Sequence, residues 1–466
     1  MHSPSLRTKY SWLAGVILVG IVLVGSVRIS LWLPTPNHKT LSHQPAKTIT
    51  VNWDSIQQAI DGFGAASGGS TNKLTTSLQG FFFTNQGIHL SFVRLMIYPD
   101  LTDCVKDSAP GQCVTVQSGA TLTLSDLANA QVAYEDGAKV WAAEWSPPGA
   151  MKSNGDFETG GSMLNGTGNA NFTSLATIQA SFVALMSRTY GIPIYAVSPQ
   201  NEPNISTVYP SCTWTAQQLH DYVPYLHSAL ASAGYSSTRI VLGEASLWNT
   251  NYNAKAMDDI HVSDDISFLA AHIHGQLHSA SLLSWNNLTM QHVWQTEAAD
   301  ENVYDGTIAS ALSYATSIHD YLTVARVSMW SYWLLSCYMR CTNNEGLTDN
   351  SNNLPKRAYA VGNYSRFVQP GWVRVGVTNR GALLVTAFQN ASGTRHAIVV
   401  VNNSGSAVAD QVFSVSTNMG SSVIPWVTSS TQSLANQPTV SISSGSFTYT
   451  IPADSVVSFV EPSDLS

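Results

Sequence analysis

Two glutamates stand where predicted strands end, and their surroundings favour chemistry. Glu202 lies in YAVSPQNEPN (residues 195–204), directly after an apolar run. Glu297 lies in VWQTEAAD, at the end of a second apolar run. Glycoside hydrolysis uses two such carboxyl groups: one protonates the leaving oxygen and the other attacks the sugar or positions water. We expect the pair to meet over one sugar ring at a solvent-accessible rim.

Further titratable or aromatic residues end the other predicted strands: Arg94, Glu144, Trp145, Glu244, His272, His274, Trp330, Tyr332 and Trp333. Glu144 and Glu244 compete with the first pair for the catalytic roles. An isolated Glu202 would ordinarily cap a helix or pair with a lysine, and Trp330 is equally consistent with a core position. No CxxC or His-rich spacing supports a metal site. Hydrolysis by two carboxyl groups needs neither a metal nor an organic cofactor, and we expect none.

Short apolar runs alternate with stretches of helical period. The predicted strands are 59–67, 91–98, 139–146, 194–199, 239–245, 267–274, 292–296 and 326–333, and the clearest helices are 124–136, 172–190, 215–234 and 308–322. Eight strand–helix units predict an α/β fold, a (β/α)8 TIM barrel whose active site lies at the carboxyl ends of the strands. A doubly wound open sheet is the alternative, but the Gly-rich DGFGAASGGS (residues 61–70) lacks GxGxxG spacing.

Short alternating strands separated by Gly, Asn and Ser begin near residue 368, and they predict a C-terminal antiparallel β-sandwich over 368–466. The barrel is assigned to 47–367, with 47–57 as a candidate strand for the sandwich. The apolar run 12–27 follows two basic residues, so 1–33 is a candidate signal peptide or signal-anchor helix, joined by a linker over 34–46. We expect an exported protein that is secreted, periplasmic or tethered to the membrane by this segment.

The amino-acid composition indicates which classes of ligand the protein binds. Only 11% of the 466 residues are charged, the net charge is −8, and the chain holds 13 Trp and 18 Tyr. This balance argues against a nucleic-acid partner and suits a protein that handles neutral polar ligands. Among five cysteines, the pairs Cys104/Cys113 and Cys337/Cys341 are each close enough in the chain for a small disulfide, which leaves Cys212 over.

Several motifs together resemble glycoside hydrolase family 30: IDGFGAASGGS, WSPPGAMKSNG, YAVSPQNEPN, HIHG, VWQTEAA and LPKRAYAVGNYSRFVQPGWVRV. The resemblance runs from about residue 60 to the C-terminus. It implies a retaining (β/α)8 glycosidase with catalytic glutamates on barrel strands four and seven, and a C-terminal sandwich packed on the barrel.

The resemblance also implies roles for individual residues. It makes Glu202 the general acid/base and Glu297 the nucleophile. Asn201 is implied to hydrogen-bond the sugar 2-hydroxyl. The remaining substrate-binding residues that it implies are Trp145, Trp330, Arg94, His272 and His274.

Two departures from the family pattern bear on activity. Family members often carry His-x-Tyr on strand six, where this chain has His272-Ile-His274. Glucuronoxylan-specific members carry arginines after the strand-eight aromatics, where this chain has Leu334 and Leu335, with Arg340 further on. These leucines argue against glucuronate-directed cleavage.

The expected function is retaining hydrolysis of β-glycosidic bonds in a polysaccharide, by endo action on a xylan-type plant polymer. A β-1,6-galactanase, a β-1,6-glucanase and a glucosylceramidase-like enzyme are the alternatives within the family. A non-catalytic carbohydrate-binding surface protein is the alternative from another class. We expect a monomer whose partner is a polysaccharide or oligosaccharide.

Overall fold

The computed structural model describes residues 48–68, 72–109, 111–248, 251–274, 292–300, 302–336, 342–378, 380–416 and 419–462. Its helices are α1 (Thr76–Phe83), α2 (Leu101–Ser108), α3 (Leu124–Glu135), α4 (Ala170–Ala184), α5 (Ala216–Ser232), α6 (Asn251–Met257), α7 (Ile260–Ser263), α8 (Ile308–Asp320) and α9 (Lys356–Ser365). A π-helical turn extends α4 over Leu185–Thr189, and another extends α8 over Tyr321–Ala325. The four helices predicted from periodicity are therefore confirmed.

A closed barrel of eight parallel strands forms the first half of the fold. Its strands are β2 (Gly62–Ser67), β3 (Phe92–Ile97), β4 (Lys139–Glu144), β5 (Ile194–Ser198), β6 (Arg239–Ala245), β7 (Phe268–His272), β8 (His292–Glu297) and β9 (Met329–Leu334), and β9 pairs with β2 to close the ring. The predicted barrel is confirmed, and the open doubly wound sheet is excluded by the closure. Strand alternation sends one set of side chains inward and the next outward to the helices.

The first predicted strand, 59–67, divides into two. A strand β1 (Ile49–Ile60) ends before Asp61, and β2 begins at Gly62. Gly62 has φ +146, and a Cβ there would lie 2.1 Å from the Ser91 hydroxyl oxygen. This position therefore requires glycine, and the chain changes direction there from one sheet to the other.

Side chains of large volume fill the lower barrel. Phe268 and Trp294 stack with ring centroids 3.8 Å apart, and Phe92 and Trp141 pack edge-on against Trp294. All four are buried. This aromatic layer blocks the barrel from below, so polar groups on the same strands can gather only at the carboxyl ends.

The second half of the fold is a ten-stranded, mainly antiparallel sheet. It contains β1 together with β10 (Trp372–Thr378), β11 (Leu384–Gln389), β12 (His396–Asn402), β13 (Val408–Ser414), β14 (Ser422–Thr428), β15 (Ala435–Asn436), β16 (Val440–Ser441), β17 (Ser446–Ile451) and β18 (Ser455–Val460). Strand β1 pairs with β10 antiparallel and with β13 parallel. Phe413, Phe447 and Phe459 pack within 5.1 Å of one another between strands that are not all neighbours, as in the curled sheet of a sandwich.

The barrel helices α8 and α9 pack against this sheet. The Asn363 amide of α9 donates to the Trp426 carbonyl at 3.0 Å and to the Ser458 hydroxyl at 2.9 Å. Arg366 lies over the Trp426 ring, 4.4 Å from its centroid. The two halves therefore share buried contacts, and both contribute to the stability of the barrel.

A disulfide joins Cys104 and Cys113, and Cys212 is a free, buried cysteine. Cys337, Cys341, Arg340 and the predicted signal or anchor segment lie outside the described residues. Within the described ranges, no helix combines the length and the apolar character that crossing a membrane requires.

Candidate active site

The loop after β5 carries Glu202 and is tied to both neighbouring strands. The amide of Asn201 donates to the Glu144 carbonyl at 2.6 Å, and the amide of Glu202 donates to the Glu244 carbonyl at 3.0 Å. Glu202 has φ +46, a left-handed conformation that is costly for a residue with a side chain. The surrounding hydrogen bonds impose this strain, and the result is that the carboxyl group points over the barrel mouth.

A bulge turns Glu297 inward. Trp294 faces the barrel interior, so strict alternation along β8 would send Glu297 outward. The register with β7 slips by one residue, so that Gln295 pairs with Ala271 and Glu297 pairs with His272. The extra residue places the Glu297 carboxyl on the inner face.

Arg94 links the groups that the two loops bring together. It lies on the inner face of β3, is 1% exposed, and donates from Nη1 to Glu297 Oε1. Its Nη2 donates to Asn201 Oδ1 at 2.7 Å and lies 3.1 Å from Glu244 Oε1. These carboxylates raise the Arg94 pKa against the lowering effect of burial, so the guanidinium stays charged.

Two histidines contact both glutamates: His272 is the last residue of β7, and His274 lies two residues beyond it. His272 Nδ1 lies 3.2 Å from Glu202 Oε1 and 3.4 Å from Glu297 Oε2. His274 Nε2 lies 2.7 Å from Glu297 Oε2 and 4.0 Å from Glu202 Oε1. His274 thus occupies the position that resembles the tyrosine of the family pattern, and it contacts the same carboxylate oxygen as its neighbour.

The separation of the two glutamates decides which stereochemistry is possible. One oxygen of Glu202 and one of Glu297 lie within 4.8 Å of each other. Retaining glycosidases hold their carboxyl groups about 5–5.5 Å apart, whereas inverting enzymes need about 6.5–9.5 Å to admit a water. This approach fits the closer, retaining arrangement, in which a nucleophile and an acid/base act on one anomeric carbon.

The protonation states follow from burial and from these contacts. Burial lowers the pKa of His272, but the charge of Glu297 and the hydrogen bonds to Glu202 and Glu244 raise it to about 9. Burial raises the pKa of Glu202, but the hydrogen bond and charge of His272 outweigh burial and bring the pKa to about 2. In the sugar-free protein near neutral pH, the shared proton therefore rests on His272.

Aromatic side chains cover the site. Trp145 and Trp333 stack with centroids 5.3 Å apart, and Tyr209 lies 6.0 Å from Trp145. The Tyr209 hydroxyl donates to Glu202 Oε2, and burial together with the charge of Glu202 raises the pKa of Tyr209. Glu202 is 4% and Glu297 is 2% exposed, so the expectation of a wet rim is wrong. These rings roof the carboxyl groups.

Trp330 does not line the site, and its expected substrate-binding role is corrected. It is fully buried and contacts Tyr314 and Tyr332 outside the barrel. The reason is alternation, because its neighbour Met329 fills the interior. Trp333 reaches the mouth instead, since a register shift in the β2–β9 pair makes it the extra residue of a bulge.

Glu144 and Glu244, the other candidates for the catalytic roles, lie in different environments. Glu144 is fully buried on the outer face of β4 towards Gln179, and burial raises its pKa well above the ordinary value. Glu244 is fully buried beneath the catalytic candidates, in contact with Arg94 and His272. Sequence reasoning did not foresee the contacts of Tyr209 or Trp333, and the bulges that place Trp333 and Glu244 carry no local sequence signal.

The cluster of Glu202, His272, His274 and Glu297 also has the donor types that transition metals accept. Arg94 and the protonated ring of His272 already neutralise two of the carboxylate charges at this point. The two-carboxylate reaction requires no metal. The arrangement is therefore suited to acid–base and nucleophilic chemistry by the side chains themselves.

The chain is similar in sequence to proteins of known activity. No family model matches the chain. It is 25% identical over 426 residues to glucuronoxylanase XynC of Bacillus subtilis strain 168, covering 89% of this chain and 92% of that protein.

Solved structures of family 30 xylanases are also similar to this chain. The family 30 subfamily 8 xylanase Xyn30A of Clostridium acetobutylicum superposes with a TM-score of 0.74 at 26% identity, over 89% of this chain and 99% of that one. The catalytic domain of the GH30 xylanase C of Talaromyces cellulolyticus gives a TM-score of 0.74 at 25% identity, with the same coverage of 89% and 99%.

Proposed function

The chain belongs to glycoside hydrolase family 30 and is an O-glycosyl hydrolase, and from this premise we propose that it cleaves internal β-linkages of a xylan-type polysaccharide with retention. The observation that carries the proposal is the approach of the Glu202 and Glu297 oxygens to within 4.8 Å, above an aromatic floor and below an aromatic roof. Its relatives named as xylanases support the substrate class.

The reaction is a double displacement. Glu297 attacks the anomeric carbon while the protonated form of Glu202 gives its proton to the leaving oxygen, which forms a glycosyl ester on Glu297. Glu202 then takes a proton from water, and the water oxygen displaces Glu297 to release the sugar. Asn201 and Arg94 position the 2-hydroxyl and the nucleophile.

His272 lies close enough to Glu202 to supply the proton that Glu202 needs as a general acid. A general acid must carry a proton when substrate is bound. His272 holds one 3.2 Å from Glu202 Oε1, and the negative charge of Glu297 is the largest of the contributions that raise the pKa of His272. As Glu297 loses this charge in forming the glycosyl ester, the proton passes from His272 to Glu202.

We further propose that cleavage does not depend on glucuronate side groups. Leu334 and Leu335, which stand where glucuronoxylan-directed members carry arginines, are both buried and neutral. A carboxylate of the substrate would find no charge partner from these two residues. Unsubstituted xylan is therefore the expected substrate.

The purified protein is to be assayed on unsubstituted xylan, glucuronoxylan, β-1,6-galactan, β-1,6-glucan and glucosylceramide. We expect short xylo-oligosaccharides of mixed length from both xylans, and NMR should show the β-anomer first. Products of a single length would contradict endo action, and initial α-anomer would contradict retention.

The non-catalytic alternative makes a different prediction. Glu297→Gln is nearly isosteric and removes the nucleophile, so it should abolish hydrolysis while oligosaccharide binding persists in calorimetry. Equal product formation by parent and variant would mean that these carboxylates do not perform the reaction.

We also propose that the protein is exported. The apolar segment 12–27 after basic residues and the Cys104–Cys113 disulfide support an oxidising destination. Cell fractionation with N-terminal sequencing tests this, and recovery from the cytoplasm with both thiols reduced would refute it.

A further inference from the structure

A third carboxyl group, that of Glu244, lies beneath the two glutamates of the proposed mechanism. Its side chain is fully buried, and one oxygen, Oε1, lies 3.1 Å from Arg94 Nη2 and 3.5 Å from His272 Nε2. One carboxylate thus contacts both cations that face Glu202 and Glu297.

The backbone at Glu244 is built to make these contacts. Its neighbour Gly243 pairs with the inward-facing Ala270, so alternation would send Glu244 to the helices. It is instead the extra residue of a bulge in β6 and has φ +40. A left-handed backbone conformation is unfavourable for a residue other than glycine. Burying a charge is also unfavourable unless the charge is paired. The fold therefore keeps Glu244 in place despite the cost of its backbone conformation and the cost of its burial.

We propose that Glu244 is a positioning residue for the hydrolysis: it anchors His272 against Glu202 and Arg94 against Glu297. The inference rests on the proposed glycosidase mechanism. Glu244 contacts Nε2 of His272. The other ring nitrogen, Nδ1, therefore faces Glu202. The backbone carbonyl of Glu244 accepts a hydrogen bond from the Glu202 amide at 3.0 Å and so also fixes the loop that carries Glu202.

The proton balance closes over one turnover. The Nδ1 proton of His272 moves to Glu202 Oε1, and Glu202 passes it to the leaving oxygen as the glycosidic bond breaks. In the second step Glu202 takes a proton from water and returns it to Nδ1. Glu244 stays ionised throughout, because Arg94 and the hydrogen bond from His272 outweigh burial and bring its pKa to about 2.

The titratable and charged groups around His272 come from five parts of the barrel. Glu244 faces Nε2, Glu202 and Glu297 face Nδ1, and the His274 ring lies 5.6 Å away. Arg94 contacts the same Glu244 oxygen as His272 does. Removing the charge of Glu244 therefore takes away one of the three carboxylates that favour imidazolium. The proton is then lost at lower pH.

The test is Glu244→Gln, which keeps the shape and removes the charge. Glu144→Gln is the matched control, since Glu144 is equally buried, at the end of β4, but faces the helices. For Glu244→Gln we expect kcat to fall by about tenfold to a hundredfold, less than the loss of a direct acid, with KM nearly unchanged. The basic limb of the pH–rate profile should move about one unit towards lower pH, whereas Glu144→Gln should retain the parental profile.

An NMR titration of the His272 ring reads the same inference without any substrate. Its signals, assigned with His272→Gln, should show loss of the proton near pH 9 in the parent and at lower pH in Glu244→Gln. If Glu244→Gln does not fold, the shorter Glu244→Asp should move the signals in the same direction by less. An unmoved titration and an unmoved basic limb would overturn the role of Glu244. Inactivity of the parent with the predicted titration would instead overturn the proposed function alone.

Discussion

The buried imidazolium of His272 should make the stability of the protein depend on pH in a defined way. Its pKa is about 9 in the folded protein against 6.5 for an ordinary histidine. The folded state therefore binds more protons than the unfolded state between these values, and stability falls as pH rises through them. The contribution is complete below pH 6.5 and lost above pH 9. At 1.36 kcal/mol per unit, its size is about 3 kcal/mol.

The perturbation is His272→Gln, and the assay is urea unfolding followed by tryptophan fluorescence at pH 6 and pH 10. The difference in unfolding free energy between parent and variant should shrink by about 3 kcal/mol across this range. His319→Gln is the control, because burial lowers the pKa of His319 to about 3 and its ring stays neutral in the folded protein over the whole interval. Only the unfolded state takes up a proton near pH 6, so the parent–variant difference should change by less than about 1 kcal/mol and in the opposite direction. A parent–variant difference that is constant with pH would refute the assignment of a charged His272.

Three further predictions follow from the site and its surroundings. Glu202→Ala should lose about 10²- to 10⁴-fold in kcat on xylan; azide should restore turnover on an activated aryl glycoside as a β-glycosyl azide, and an α-azide would contradict retention. Trp145→Ala should raise KM about tenfold, equivalent to about 1.4 kcal/mol, whereas Trp330→Phe should lower the melting temperature without raising KM; equal KM effects would contradict the placement of the two rings. Reduction of the Cys104–Cys113 disulfide, whose sequence separation is 9, should cost about 3 kcal/mol of unfolding free energy, and calorimetry with and without reductant measures it.

Much of the architecture is determined locally and can be predicted from the sequence. The alternation of apolar runs with helical periods indicates eight strand–helix units, because burial on both faces of a strand and on one face of a helix leaves a visible pattern. The order of the strands then brings Glu202 and Glu297 to one end of the barrel, since all parallel strands end at the same edge. The same rule brings Glu144 and Glu244 to that end, so strand order alone left four candidate glutamates, and the resemblance to family 30 singled out the pair.

The orientation of the side chains was decided only by the tertiary structure. Glu244, Glu297 and Trp333 face the site because β6, β8 and β9 each carry an extra residue relative to a neighbouring strand, whereas Trp330 obeys alternation and faces outward. Such bulges arise from the hydrogen-bond register between strands, which the residues of one strand do not encode by themselves. For this reason the sequence by itself determines which residues reach the end of the barrel, and the closed ring of strands determines which of them turn towards the sugar.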